Sequence, residues 1–223
     1  MIAAHELCFH YAGADHHALS RVTFSLPKGS LALLCGANGS GKSTLLRLLA
    51  GLLQPDSGTL RCGRCALVMQ GSSHQILGST VGDDMLLPWP RPTEMQREKA
   101  RDLAGSFGLS MDDDVQHLSG GQKRRLCIAS ALMAGPDVLL MDEPSSSLDY
   151  PACLQLVHCL GRLRNSGMTI LLSTHDPSLF VPAMQDGDPL LVLEQGVLSA
   201  ILPLRDAQDA ILKHPGWGVR PWA

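Results

Sequence analysis

Between residues 20 and 60 the chain changes its hydrophobic rhythm twice, and each change marks a new element. Val22, Phe24 and Leu26 alternate with polar neighbours, the pattern of a strand with one buried face. After the turn Pro27-Lys28-Gly29, Leu31 to Cys35 is apolar without interruption, as in a parallel strand covered on both faces. From Ser43 to Leu52 the leucines recur at helical spacing, and Gly51 with the turn Pro55-Asp56-Ser57-Gly58 closes that helix.

The same rhythm returns later in the chain. Strands at Asp137 to Met141 and Met168 to Ser173 flank a helix over 151–165, the βαβ order of a parallel sheet. Leu190 to Leu193 and Val197 to Leu202 form a hairpin through Gln195-Gly196. Between about 75 and 135 the pattern is helical, with helices from Thr93 to Phe107 and Ser119 to Met133 after the breaker Pro88-Trp89-Pro90-Arg91-Pro92. The expectation is one domain over 1–223, an α/β core with a helical sub-lobe inserted at 75–135, and a short C-terminal tail over 203–223. Trp217 and Trp222 in that tail have either the core or a partner to pack against. One stretch resists the pattern. MQGSSHQILGSTVGDDM, at 69–85, neither alternates like a strand nor starts like a well-capped helix, yet it carries Ile76, Leu77, Val81 and Met85. A docking segment and a self-packed loop both remain open.

Composition narrows the class. The apolar runs are far shorter than the roughly 20 residues that cross a bilayer, and the first residues lack the form of a secretory signal, so the chain reads as cytosolic. A formal net charge of −3 gives no broad basic surface, which argues against nucleic acid. Seven cysteines in apolar contexts read as packed, reduced thiols. Cys62-Gly63-Arg64-Cys65 lacks the second ligand pair of a zinc site and reads as structural or incidental.

Three motifs carry chemistry. GANGSGKS at 36–43 follows a buried strand and opens a helix, the place where successive backbone N–H groups wrap phosphates. Lys42 supplies a point charge, the Ser43 hydroxyl suits Mg²⁺, and Gly39 and Gly41 keep Cβ atoms away from the phosphates. VLLMDEP at 138–144 is an apolar strand ending in Asp142, placed to hold Mg²⁺ through water, and Glu143, placed to polarise an attacking water. LSGGQ at 118–122 puts Ser119 at an N-cap and leaves Gly120 and Gly121 clear, a second anion-binding helix terminus. One γ-phosphate needs one such terminus, so the second serves a partner's nucleotide. Lys123, Arg124 and Arg125, which follow, read as a solvated helix face.

GANGSGKS, LSGGQ, LLMDEP, SSLD at 146–149 and STHD at 173–176, in this order, resemble the ATP-binding cassette (ABC) ATPases over about residues 2 to 200. The resemblance implies a P-loop NTPase fold with a RecA-like parallel-sheet core, an antiparallel β arm and an inserted α-helical lobe. It also implies ATP and Mg²⁺ as cofactors. Tyr11 would then stack on adenine, and Gly36, Asn38, Gly39, Ser40, Gly41, Lys42, Ser43 and Thr44 would hold phosphate and magnesium. Gln70 would sense the γ-phosphate and Mg²⁺, and Ser119, Gly120, Gly121 and Gln122 would clamp ATP across a dimer. Asp142 would support Mg²⁺, Glu143 would be the general base, Asp149 would bridge protomers, and His175 would contact the γ-phosphate. Homodimer and heterodimer are both open.

The chain has no room for the coiled coils or paired cassettes of the chromosomal and translational members, which leaves transporter subunits. SSHQILGSTVGDDM and LSGGQKRRLCIA resemble the energy-coupling-factor group that imports cobalt, nickel and vitamins, where the groove beside Gln70 receives a membrane partner. The expectation is a peripheral ATPase on the cytoplasmic face of the membrane, docking through Gln70, Ile76, Leu77, Val81 and Met85. Another transporter type, or a soluble ATP-dependent switch, is the alternative. Three positions depart from the group: His74 in place of an acidic residue, Pro88-Trp89-Pro90, and only 11 residues between Gly58 and Gln70, which implies a reduced β arm.

Overall fold

The computed structural model describes residues 1–71 and 74–222. The chain forms two sheets. The first is antiparallel, of β1 (Ile2–Phe9), β2 (Leu19–Leu26) and β4 (Ser57–Cys62), in the order β2-β1-β4. The second has the order β5-β6-β7-β3-β8-β9 and contains β3 (Leu31–Cys35), β5 (Cys65–Val68), β6 (Val138–Met141), β7 (Thr169–Ser173), β8 (Pro189–Glu194) and β9 (Val197–Pro203). Its pairings are parallel except for β8 with β9, the expected hairpin, whose turn residues Gln195 and Gly196 both have positive φ.

The uninterrupted apolar run of β3 has a direct cause. Leu31, Leu33 and Cys35 face the larger core cluster, while Ala32 and Leu34 face the cluster shared with the antiparallel sheet and α1 (Lys42–Leu49). Both faces are dry, so no polar position is tolerated. In β1 the inward positions change parity from Ile2 and Ala4 to Leu7 and Phe9, because the ladder with β2 is irregular there and Glu6 has a φ of 48°. That break hides β1 from a search for simple alternation.

The helices α3 (Glu94–Ser106), α4 (Gly120–Met133) and α5 (Tyr150–Asn165) begin at the N-caps Thr93, Ser119 and Asp149, each accepting a backbone N–H bond from the third residue on. After β9 the chain forms α6 (Leu204–Lys213), where the sequence pattern assigned only a tail; Ala207 and Ile211, four apart, are its buried stripe. The tail beyond it folds back, and Trp217 and Trp222 pack on the larger core cluster.

The stretch at 69–85 is corrected in two respects; its Ser72 and Ser73 lie outside the described residues. First, Val81–Leu86 is a helix, α2, with a reciprocal capping box between Thr80 and Asp83. The signal is disguised because its third position holds Asp instead of the usual Glu or Gln. Second, Val81 and Met85, expected to line a docking groove, are wholly buried, being the inward i, i+4 pair of α2. Ile76 is half-buried, and Leu77 stands 73% exposed.

Among the described residues no helix is long and apolar enough to cross a membrane.

Candidate functional site

A cavity of about 860 Å³ opens where the phosphate loop leaves β3. Asn38, Gly39, Gly41, Lys42, Ser43 and Thr44 line it, and Tyr11, Gln70, Glu143, Ser146 and His175 complete the wall. Gly36 and Ser40 belong to the loop but stand behind this surface; Ser40 is buried at 4% exposure. The Lys42 Nζ donates to the carbonyls of Gly36 (2.8 Å) and Ala37 (2.9 Å), which holds its charge inside the loop. Gly41 has a φ of 105°, and a Cβ there would meet the Ala18 carbonyl oxygen at 2.6 Å. The loop therefore needs glycine for its packing on β2 as well as for access to phosphate.

Behind the wall at Glu143, the carboxyl ends of β6 and β7 bring together residues some thirty positions apart; Asp142 and Ser173 are buried there and do not line the cavity. The buried Ser173 hydroxyl donates to Asp142 Oδ1 at 2.7 Å and accepts the Glu143 backbone N–H at 2.8 Å. It thereby fixes both acidic residues. Glu143 has a φ of 44°, an unusual conformation for a residue with a side chain, and its Oε2 lies 3.1 Å from His175 Nδ1. Ser43, Gln70 and Asp142 offer oxygen donors only, a set suited to a hard cation such as Mg²⁺. Tyr11 stands at the outer end, 39% exposed, with its hydroxyl 3.1 Å from Thr44 Oγ1 and its ring edge-on to Phe9.

Ser119, Gly120, Gly121, Gln122 and Asp149 are not in this cavity. They line a separate cleft of about 400 Å³ with Ser147 and Leu148. Gly121 is required there for a reason beyond anion access: a Cβ would sit 2.9 Å from the Ala152 Cβ of α5.

The expectation of a solvated face for Lys123, Arg124 and Arg125 is corrected. Lys123 and Arg125 are half-buried, and Arg124 is 2% exposed, donating from Nη1 to the Met69 carbonyl at 2.8 Å. Burial holds the Arg124 guanidinium below its ordinary pKa. Its bond ties the helix behind LSGGQ to the residue before Gln70. Sequence reasoning also missed Ser146, Ser173 and Gly218. Gly218 reaches the cavity wall because the C-terminal tail lies against Ala37, and the next-but-one residue, Arg220, donates its backbone N–H to the His175 carbonyl at 3.1 Å. Nothing local in Pro215-Gly216-Trp217-Gly218 announces this. Cys62 and Cys65 face neither cavity, and burial pushes the Cys62 thiol up to about 12.

Comparison with known proteins adds four findings. The family model for the ABC transporter matches residues 19–146. The energy-coupling factor transporter ATP-binding protein EcfA1 of Bacillus licheniformis is 34% identical over an alignment that covers 88% of this chain and 76% of that protein. The cobalt import ATP-binding protein CbiO of Rhodobacter capsulatus is 35% identical over an alignment that covers 91% of this chain and 80% of its own. Among solved structures, cbiO1 from Clostridium perfringens superposes with a TM-score of 0.82 at 24% identity, covering 97% of this chain and 96% of its own, a likeness of fold.

Proposed function

The chain belongs to the ABC transporter ATPases, and from that membership we propose that it is the ATP-hydrolysing subunit of an energy-coupling-factor type importer whose cargo is a transition metal ion or a vitamin. The observation that carries the mechanism is the separation of the two anion-binding loops. The phosphate loop and LSGGQ line different cavities of one chain, so a site that uses both needs two cassettes.

ATP enters with its adenine toward Tyr11 and its phosphates on the backbone of 36–44. Ser43, Gln70 and Asp142 would hold Mg²⁺, which when bound neutralises phosphate charge. Glu143 accepts the proton of the attacking water, and His175, paired with it, faces the γ-phosphate side. Positioning and electrostatics supply most of the acceleration in such a transfer. Ser119 to Gln122 of a second cassette close over the nucleotide, and Asp149 bridges the two protomers. Closure moves the segment beside Gln70, and with it the exposed Leu77, against an integral membrane subunit. The chain itself is peripheral, at the cytoplasmic face.

The test is capture from solubilised membranes. A hydrophobic membrane protein retained by the native chain and lost with Leu77→Asp supports the reading; a purely cytosolic partner, unaffected by that change, sinks it.

A further inference from the structure

The loop that carries Tyr11 holds a second constellation outside the nucleotide cavity. His10, His17 and Asp56 place one ligand atom each within 4.8 Å of one another, on three exposed side chains. His10 Nδ1 is 2.7 Å from Asp56 Oδ2, and the rings of His10 and His17 lie 5.7 Å apart between centroids. We propose that these three residues form a binding site for a divalent transition metal ion that clamps the Tyr11 loop.

The backbone that carries the three ligands is already set. The loop neck is closed by the Ala18 N–H donating to the Phe9 carbonyl at 2.8 Å, so His10 and His17 stand at its two sides. Asp56 is held by its own N–H to the Cys8 carbonyl at 2.9 Å, and its Oδ2 accepts the His10 backbone N–H at 2.7 Å. Only side-chain rotation remains. Metal bonds of about 2.0–2.2 Å put neighbouring ligand atoms roughly 3 to 3.5 Å apart, a small adjustment for exposed rings, and coordination replaces the present His10–Asp56 hydrogen bond.

The donor set decides the class of ion. Two imidazoles and one carboxylate suit Zn²⁺, Co²⁺ or Ni²⁺, with further positions open to water, whereas Mg²⁺ prefers oxygen alone. The site is therefore chemically distinct from the oxygen donors at Ser43, Gln70 and Asp142. A bound ion would join both sides of the loop to the turn before β4, and so restrain Tyr11 against Thr44.

The experiment titrates the full, nucleotide-free chain with Co²⁺ in excess Mg²⁺, following heat and the cobalt visible absorption, with hydrogen exchange read over 10–18. One saturable equivalent is expected, with exchange in the loop slowed. His17→Ala should weaken binding by about tenfold or more, since even outer partners of metal ligands cost that much, and should abolish the slowing. His158→Ala, an exposed histidine elsewhere, should change neither. Absence of saturable binding, or binding undiminished in His17→Ala, overturns the site; binding that leaves exchange over 10–18 unchanged overturns the clamp. None of these readouts depends on ATP hydrolysis.

Discussion

His175 Nδ1 lies 3.1 Å from Glu143 Oε2, a pair made where the parallel strands β6 and β7 end side by side at the nucleotide cavity. Each residue thus orients the other before any substrate arrives. Glu143→Gln keeps an acceptor for His175 and nearly the same shape while removing the carboxylate proposed as the base. Turnover should fall by about 10²–10⁴-fold with nucleotide affinity largely retained, as read by phosphate release and equilibrium binding. Turnover close to native would remove Glu143 from that role.

Leu77 and Met85, eight residues apart, should respond in opposite ways to the same charge. Leu77→Asp changes an exposed position, so the melting temperature should stay within a degree or two of native while membrane-partner capture is lost. Met85 is fully buried, and even Met85→Ala should cost about 2–5 kcal/mol in urea unfolding. A stable Met85→Asp chain would contradict the inward orientation of α2.

Arg124 should act on turnover through Gln70, the neighbour of the residue it bonds. Its bond to the Met69 carbonyl fixes the chain at the cavity edge, so Arg124→Ala should lower kcat, by up to about 10²-fold if Gln70 shifts by an ångström. The KM for ATP should change little, and Arg124→Lys should restore part of the loss. Equal losses in kcat and folding stability would instead mark a purely structural residue.

Arg164 and Asp188 form a buried ion pair at 3.0 Å, with side-chain exposures of 9% and 4%. Asp188 also accepts the backbone N–H groups of Leu31 and Gln185, so it joins α5 to the start of β3. Arg164→Met would leave that carboxylate without its cation and should cost about 3–5 kcal/mol in denaturant unfolding. A loss below about 1 kcal/mol would mean that the backbone donors alone sustain the charge.

Legibility followed sequence distance. GANGSGKS, the hairpin at Gln195-Gly196 and the cap at Ser119 were readable because glycine φ angles, turn geometry and capping bonds act within a few residues. The uninterrupted run at Leu31 to Cys35 likewise announced a doubly covered strand. Met85, Arg124 and Ser173 were different. The inward turn of α2 depends on which helix it meets, and Asp84, buried on the same element, accepts the N–H groups of Leu77 and Gly78 and the Ser130 hydroxyl to hold it there.

The sequence by itself determined the kinds of element and the identity of the phosphate-binding chemistry, since both are encoded in contiguous residues. Only the tertiary structure decided which distant groups meet: Ser173 with Asp142, Arg124 with Met69, Gly218 with Ala37, and His10 and His17 with Asp56. The reason is physical. Those encounters are set by strand order in the sheets and by the return path of the chain, and burial then rewards contacts that no local pattern specifies.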